Sequence, residues 1–340
     1  MELCVIEGDA VGHEVVPAAV RVLKTLLPDL EIISAEAGFE TLEAVGTPLP
    51  QETIDIARRC GAVLFGAAAS PSYPVEGYFS PIIRLRQLLN TYANIRPTRY
   101  IPVPTARPGV DMVVVRENTE DLYVVDEFTD LDGDRSTAQK VITRVATERV
   151  AHAAYRLARS TDREKVTIVH KANILPQSDG LFRRVALEIA EQYPDIETDE
   201  LLVDTAAYWM VKEPTRFDVI LTSNLYGDIL SDMAAAWGGG LGFAPALNLG
   251  DDAAIAEPVH GTAPDIAGKG IANPTAAILS IALLVRHFWN RPDLALLIED
   301  AIRATLDTGS HTFDIYTDGA ISTQVFTDRV CAYLVKRVNS

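Results

Sequence analysis

The first third of the chain alternates short apolar runs with amphipathic stretches, and this alternation restricts the fold more than any other feature. Leu3–Ile6 (LCVI), Glu31–Ala37 (EIISAEA) and Ala62–Ala67 (AVLFGA) read as strands, and Glu14–Leu27 and Gln51–Cys60 between them read as helices. A β-α-β-α-β order predicts an α/β layer architecture with several parallel strands, because parallel neighbours need a crossover and a helix supplies it. Near Arg96-Pro97 the character changes, and Pro97, Pro102, Pro104 and Pro108 mark a connector and a domain crossing. Further strands follow at Asp111–Val115 (DMVVV), Val166–His170 (VTIVH) and Phe217–Asn224 (FDVILTSN). Helices are expected at Thr147–Leu157 and Leu225–Gly242, and a polar, Asp- and Thr-rich segment at Asp126–Gln139. The last third returns to Pro/Gly-rich loops, then a helix from Thr275 to Phe288 whose start is set by Pro274. With 340 residues the chain is sized for about two domains. A discontinuous arrangement is expected, residues 1–97 plus 246–340 forming the larger domain around a smaller one at 98–245.

Charge and cysteine usage exclude several function classes. The 47 acidic and 30 basic side chains give a net charge of −17, which repels nucleic-acid phosphates. An anionic small-molecule substrate must therefore meet a local cationic pocket. Cys4, Cys60 and Cys331 are widely spaced with no C-x-x-C, so neither a disulfide scaffold nor a thiolate zinc site is expected, and a reducing cytoplasm is. The N-terminal MELCVIEGD runs straight from an apolar strand pattern into charge, unlike a signal peptide. The longest apolar run, Ala276–Val285, is interrupted by Ser280 and closed by Arg286. It falls short of the roughly 20 residues that span a bilayer, so no membrane association is expected.

Common nucleotide signatures are missing. Gly8-Asp9-Ala10-Val11-Gly12 has the wrong spacing for G-x-G-x-x-G, and there is neither a P-loop nor H-E-x-x-H. Three other constellations stand out. Asp228-x-x-x-Asp232 follows a buried strand, and the spacing puts both carboxylates on one helical face. Like charges so placed are relieved by a divalent cation; two solvated carboxylates at a helix start are the alternative. Asp204, after the apolar Leu201–Val203, is a candidate third oxygen ligand. Arg86, Arg96, Arg116 and Lys171 form a second set, Arg116 and Lys171 standing at strand ends where α/β proteins bind ligands. Guanidinium forks suit carboxylates, although each residue alone reads equally as a surface or salt-bridged cation. Tyr123 lies seven residues beyond Arg116. The third is the loop Glu257–Pro274, which can wrap an adenosine and present Asp265 to ribose hydroxyls, or be a structural Ω-type loop.

Six segments in order, IEGDAVGHE, YANIRP, VVVRENTEDLY, HKANILPQSDGLF, NLYGDILSD and HGTAPDIAGKGIANPTAAILS, make the whole chain resemble the β-decarboxylating dehydrogenases: isocitrate, 3-isopropylmalate and homoisocitrate dehydrogenases. Within that family, Ser70–Arg86, Arg116–Tyr123 and Leu175–Arg183 are most similar to homoisocitrate dehydrogenases, specifically the fungal type. The resemblance implies a two-domain, isopropylmalate dehydrogenase-like, non-Rossmann α/β fold with its active site in the interdomain cleft. It implies a homodimer or dimer of dimers whose sites borrow residues from the neighbour. Arg86, Arg96 and Arg116, with Ser80, match residues that hold the substrate. Tyr123 and Lys171, the latter from the other subunit, match the acid/base pair. Asp228 and Asp232, with Asp204 from the partner, match the Mg²⁺ or Mn²⁺ ligands. Asn173 matches a residue near substrate and nicotinamide, and Ala68, Ser70, His260, Gly261, Ala263, Asp265 and Asn273 match the cofactor site.

The implied reaction oxidises and decarboxylates a 2-hydroxy acid bearing a carboxylate at C3. Homoisocitrate would give 2-oxoadipate and CO₂, within lysine synthesis through α-aminoadipate. Lys171, assisted by Asp204, would take the hydroxyl proton and Tyr123 would protonate C3, with one metal as Lewis acid for both steps. Asp265 and Ile266 stand where the family's NADP users carry Lys and Tyr. A carboxylate favours a free 2′-OH over a 2′-phosphate, so NAD is the expected cofactor. Isocitrate and 3-isopropylmalate are the rival substrates, alone or together. Isocitrate enzymes pair Ser with Asn, but here Ser80 is followed by Ile82 and Ile83, where isopropylmalate enzymes place leucines. Arg84 is one residue from the arginine position of some bacterial homoisocitrate enzymes, rotated about 100° on a helix. Ala10 replaces a usual family glycine in the first turn. A non-catalytic regulatory subunit is the rival from another class, and retention of Tyr123, Lys171, Asp204, Asp228 and Asp232 speaks against it.

Overall fold

The structure is a computed structural model describing residues 1–123 and 127–338. Its strands are β1 (Glu2–Gly8), β2 (Glu31–Ser34), β3 (Ala62–Ala67), β4 (Ala93–Arg99), β5 (Asp111–Glu117), β6 (Glu127–Thr129), β7 (Ser136–Ala138), β8 (Lys165–His170), β9 (Glu197–Leu202), β10 (Val219–Thr222), β11 (Pro245–Leu249) and β12 (Ala254–Pro258). The helices are α1 (Gly12–Leu26), α2 (Phe39–Val45), α3 (Gln51–Cys60), α4 (Pro81–Leu88), α5 (Arg144–Ser160), α6 (Ser178–Ala190), α7 (Val203–Lys212), α8 (Asn224–Trp237), α9 (Thr275–His287), α10 (Pro292–Asp307) and α11 (Thr323–Val338).

The chain forms two compact units: Met1–Asn90 with Tyr100–Pro108 and everything from Ala235, and Thr91–Arg99 with Gly109–Ala234. The divisions differ from those expected at residues 97 and 246. Strand β4 belongs wholly to the second unit because it pairs antiparallel with β5 from Ala93–Glu117 to Arg99–Asp111. Tyr100–Pro108 belongs to the first, where the Arg107 N–H donates to the Trp237 carbonyl at 2.8 Å.

In the first unit the strands run β2-β1-β3-β12-β11, parallel except for β11. Every residue of β3 and β12 is buried, so neither strand has a solvent-exposed face. The apolar run in α9 is core: Ala276, Ala277, Ile278, Ile281, Ala282, Leu284 and Val285 are fully buried, each large side chain contributing roughly 1.5–3 kcal/mol. Ser280 inside that run accepts the Ala246 N–H at 3.2 Å, so its hydroxyl is not orphaned. No helix among the described residues is long and apolar enough to cross a membrane. All three cysteines are free, and burial pushes the Cys4 thiol up to about 12.

The β1–α1 turn shows why the first glycines have their spacing. Gly8 has φ 76°, and a Cβ there would lie 1.9 Å from the Ala67 carbonyl oxygen; one at Gly12 would lie 2.0 Å from the Glu7 oxygen. These glycines let β1, β3 and α1 approach one another. Between them Ala10 has φ 52°, a left-handed conformation that disfavours a Cβ. Ala10→Gly should therefore raise stability by up to about 1 kcal/mol. Chemical denaturation at neutral pH checks this, and a lowered midpoint would count against strain at Ala10.

In the second unit the order is β4-β5-β10-β8-β9, with β4 antiparallel and the rest parallel. Helices α5 and α6 pack on one another and on the sheet. Within the expected polar segment, Asp126 lies outside the described residues, and the exposed strands β6 and β7 pair as an antiparallel hairpin. Two other expectations need correction. The last third contains β11 and β12 where Pro/Gly-rich loops were expected, both only five residues long. Helix α8 ends at Trp237 rather than Gly242, because Gly239 and Gly240 adopt φ near 110° and a 3₁₀ turn follows.

Candidate active site

Arg116 is the penultimate residue of β5, Arg96 lies on β4, and α8 starts two residues after β10, so three neighbouring strands deliver the site of the second unit. Arg116 is 1% exposed. Its Nε and Nη2 donate to Asn224 Oδ1 at 2.8 and 2.6 Å, and its Nη1 pairs with Asp228. The guanidinium also lies 4.9 Å from the centroid of the Tyr123 ring. Arg96 Nη1 reaches Asp228 Oδ1 at 3.2 Å, Asp232 Oδ1 at 3.5 Å and Ser231 Oγ at 2.8 Å. Tyr123 donates its hydroxyl to Asp228 Oδ2 at 2.7 Å. Gly227 permits this packing, since a Cβ there would sit 2.6 Å from Arg116 Cβ and Cγ.

Asp228 and Asp232 thus converge on one cation, the Arg96 Nη1. Burial, then the neighbouring Asp228 charge, raises the Asp232 carboxyl above its usual range against the opposing pull of Arg96 and Arg116. Two hard oxygen donors sharing a focus suit Mg²⁺ or Mn²⁺. Among the described residues, no three His, Cys, Asp or Glu side chains come together as a metal site within the chain. Asp204 instead pairs with Lys171 on an exposed surface, and that ammonium holds its carboxyl below the ordinary range. Two of the three expected ligands are therefore brought together, and the third is not. Asn173 lies in the exposed turn after β8, two residues beyond Lys171.

Two acidic residues of the RENTEDLY segment, Glu117 and Glu120, are buried supports that the sequence reading did not single out. Glu117 accepts the Thr119 N–H at 2.7 Å and the Glu120 N–H at 3.0 Å. Glu120 accepts the Thr143 N–H at 2.8 Å, joining the loop before Tyr123 to the start of α5. Burial pushes Glu120 up to about 7, helped by the Glu117 and Asp121 charges. A raised folded-state value means that the native protein keeps a proton the unfolded chain has lost. This contribution is present below the unfolded value and lost as pH rises through about 7. Glu120→Gln should therefore flatten the stability profile between pH 5 and 8 and raise stability at pH 8 by about 1–3 kcal/mol. Urea titrations across that range check the sign, and a steeper fall in the variant would refute the assignment.

In the first unit Arg86 lies buried on α4, in an ion pair with the buried Glu257 at the end of β12. The sequence reading missed that partner, 171 residues away. Ser80 caps α4, its hydroxyl accepting the Ile83 N–H at 3.5 Å. Ile82 and Ile83 are half-buried, while Arg84 is exposed and donates to Gln87 at 3.4 Å.

The loop after Glu257 is tied to α1: Val11 N–H donates to the Thr262 carbonyl at 3.1 Å, and Gly268 N–H donates to Glu14 Oε1 at 2.6 Å. Ala263 turns it through φ 41°. His260 Nδ1 lies 2.9 Å from the Gly261 carbonyl, and burial lowers the imidazole's affinity for a second proton. Asn273 donates to Asp314 at 2.9 Å and accepts the Thr275 N–H at 3.0 Å, ending the loop where α9 begins. Gly261 and Asp265 are exposed, and Ile266 is half-buried. Asp9 was another unread residue. Its buried carboxylate accepts the N–H groups of Phe39, Glu40 and Ala69 at 2.7–2.9 Å, fixing the segment that carries Ala68 and Ser70. The β1–α1 turn therefore anchors both segments expected to meet a dinucleotide.

The signature of the isocitrate/isopropylmalate dehydrogenase family matches residues 2–330. The chain belongs to that family. An isocitrate/homoisocitrate dehydrogenase of Thermus thermophilus is 49% identical over 96% of this chain and 97% of its own length. A 3-isopropylmalate dehydrogenase of Archaeoglobus fulgidus is 46% identical over 98% of this chain and 99% of its own. The crystal structure of isocitrate dehydrogenase from Methylococcus capsulatus superposes with a TM-score of 0.94 at 42% identity, covering 98% and 99% of the two chains. The protein is a β-decarboxylating dehydrogenase of this family, and its α/β architecture is the family's. Members bind carboxylate substrates and use a nicotinamide cofactor with a divalent metal.

Proposed function

We propose that this dehydrogenase converts homoisocitrate and NAD to 2-oxoadipate, CO₂ and NADH in the cytoplasm. The observation carrying the reading is the shared carboxylate of Asp228, which meets Arg96, Arg116 and Tyr123 at once. Arg86, Arg96 and Arg116 are assigned to the substrate carboxylates, and Ser80 and Asn173 are assigned as further substrate contacts. Asp228 and Asp232, with Asp204 of the partner subunit, would hold Mg²⁺ or Mn²⁺. When bound, the metal supplies Lewis acidity at the substrate's C2 oxygen, and the nicotinamide supplies the hydride acceptor. Lys171 of the partner subunit takes the hydroxyl proton, with Asp204 keeping its ammonium in place. Tyr123 delivers a proton to C3 after CO₂ has left. A homodimer or dimer of dimers follows from that division of labour. Exposed Ile174, Tyr208 and Val211 near Lys171 and Asp204 in sequence support such an interface.

NAD is favoured by exposed Asp265 followed by Ile266, on the loop that carries His260, Gly261, Ala263 and Asn273. The β1–α1 region that ties this loop through Val11 and Glu14 also holds, through Asp9, the segment carrying Ala68 and Ser70. The half-buried Ile82 and Ile83 support activity on 3-isopropylmalate as a second reading, and isocitrate is a third candidate. The retained acid, base and carboxylate residues argue against a non-catalytic regulatory subunit. The deciding measurement is kcat/KM for the three acids with NAD and Mn²⁺. Homoisocitrate is expected to lead by about 10-fold or more, a difference within reach of one methylene and its contacts. A lead by either rival would overturn the substrate assignment.

A further inference from the structure

Lys140 stands just before α5 with its side chain largely enclosed in the second unit. Its Nζ lies 2.7 Å from Asp179 Oδ1 and 3.7 Å from Asp121 Oδ1, and 4.2 Å from the centroid of the Tyr226 ring. Asp121 and Asp179 are 0% and 1% exposed. Buried carboxylates need a counter-charge, and one ammonium here serves two.

Each carboxylate also holds backbone that carries chemistry. Asp179 Oδ2 accepts the N–H of Lys171 at 2.6 Å. Asp121 Oδ2 accepts the Leu225 N–H at 3.0 Å, in the first turn of the helix that bears Asp228. Asp121 itself adopts φ 74°, an uncommon conformation for a residue with a Cβ, and its N–H donates to the Val141 carbonyl at 2.9 Å, next to Lys140. Tyr123 follows two residues later.

We infer that Lys140 is a positioning residue whose ammonium, bridging Asp121 and Asp179, sets the proposed acid Tyr123 and the proposed base Lys171 in fixed relation. The inference rests on the functional reading above. On that reading Lys171 serves the neighbouring subunit's site, so Lys140 ties the acid of one site to the base of the next. Without the ammonium, two buried negative charges face each other, and the strained turn at Asp121 loses the charge that holds it.

The test uses full-length wild type, Lys140→Met, Lys140→Arg and Asp179→Asn, assayed for kcat and KM on homoisocitrate with NAD and Mn²⁺. Misplacing a catalytic group by about 1 Å costs about 10²-fold. Lys140→Met is therefore expected to lose about 10²-fold in kcat with KM changed less than threefold, and Lys140→Arg to recover at least 10-fold of that loss. Asp179→Asn keeps an acceptor for the Lys171 N–H but removes the charge, and is expected to lose kcat likewise. If Lys140→Met fails to fold, Asp179→Asn decides. Wild-type kcat in either variant overturns the inference, as does an equal loss in Lys140→Met and Lys140→Arg accompanied by an equal drop in melting temperature. Wild type that turns over none of the three acids sinks the functional reading itself, and this inference with it.

Discussion

Asp228→Asn should lower kcat/KM by at least about 10³-fold. The substitution keeps the side chain's size and one carbonyl oxygen, so the change isolates a single negative charge. That charge faces Arg96 and Arg116 and accepts the Tyr123 hydroxyl. On the proposed reading its loss replaces an anionic oxygen donor to the metal by a neutral one, and it removes an ion-pair partner of Arg116, which is nearly inaccessible to water. Stability should also fall by about 1–3 kcal/mol, less than for a fully enclosed pair because the Asp228 side chain is 38% exposed. Steady-state kinetics at saturating Mn²⁺, together with the melting temperature of the metal-free protein, separate the two effects. Near-wild-type turnover in the variant would dismantle the site assignment.

The second large expected change concerns the dinucleotide. Asp265→Lys combined with Ile266→Tyr should shift the NAD-to-NADP preference by at least about 10²-fold, equivalent to about 2.7 kcal/mol of differential binding. The carboxylate accepts hydrogen bonds from a free ribose 2′-hydroxyl and repels a 2′-phosphate, whereas an ammonium and a phenol attract the phosphate. The loop's bonds to Val11 and Glu14 are made by Thr262 and Gly268, which the substitutions leave alone. The altered charge should therefore arrive on an unchanged backbone. Ratios of kcat/KM for the two cofactors measure the shift, and an unmoved ratio would mean that Asp265 does not face the ribose.

How much of this was legible in the sequence depended on how local each determinant is. Strand β3 and helices α1, α3 and α9 were readable because burial imposes a continuous apolar run or a helical period on adjacent residues. Strands β11 and β12 were not, because five residues, one of them a terminal proline, carry too short a pattern. The Asp228–Asp232 pair was legible from its spacing on one helix. Glu257 opposite Arg86, Asp9 beneath the Ala69 N–H and Lys140 between two aspartates were not. Each depends on a partner brought near by tertiary folding, and no local period encodes which distant residue that is.

The Arg86–Glu257 pair has a consequence for ligand order. The guanidinium sits on the helix expected to meet substrate, and the carboxylate sits at the root of the loop expected to meet the dinucleotide. If Arg86 engages the substrate acid as proposed, that acid competes with an internal anion already seated there, and displacing it frees the carboxylate that precedes the neighbouring loop. Thermodynamic reciprocity would then make any effect of a bound dinucleotide on Glu257 felt as a changed grip on the acid. Two ligands that never touch that carboxylate together would still report to each other through it.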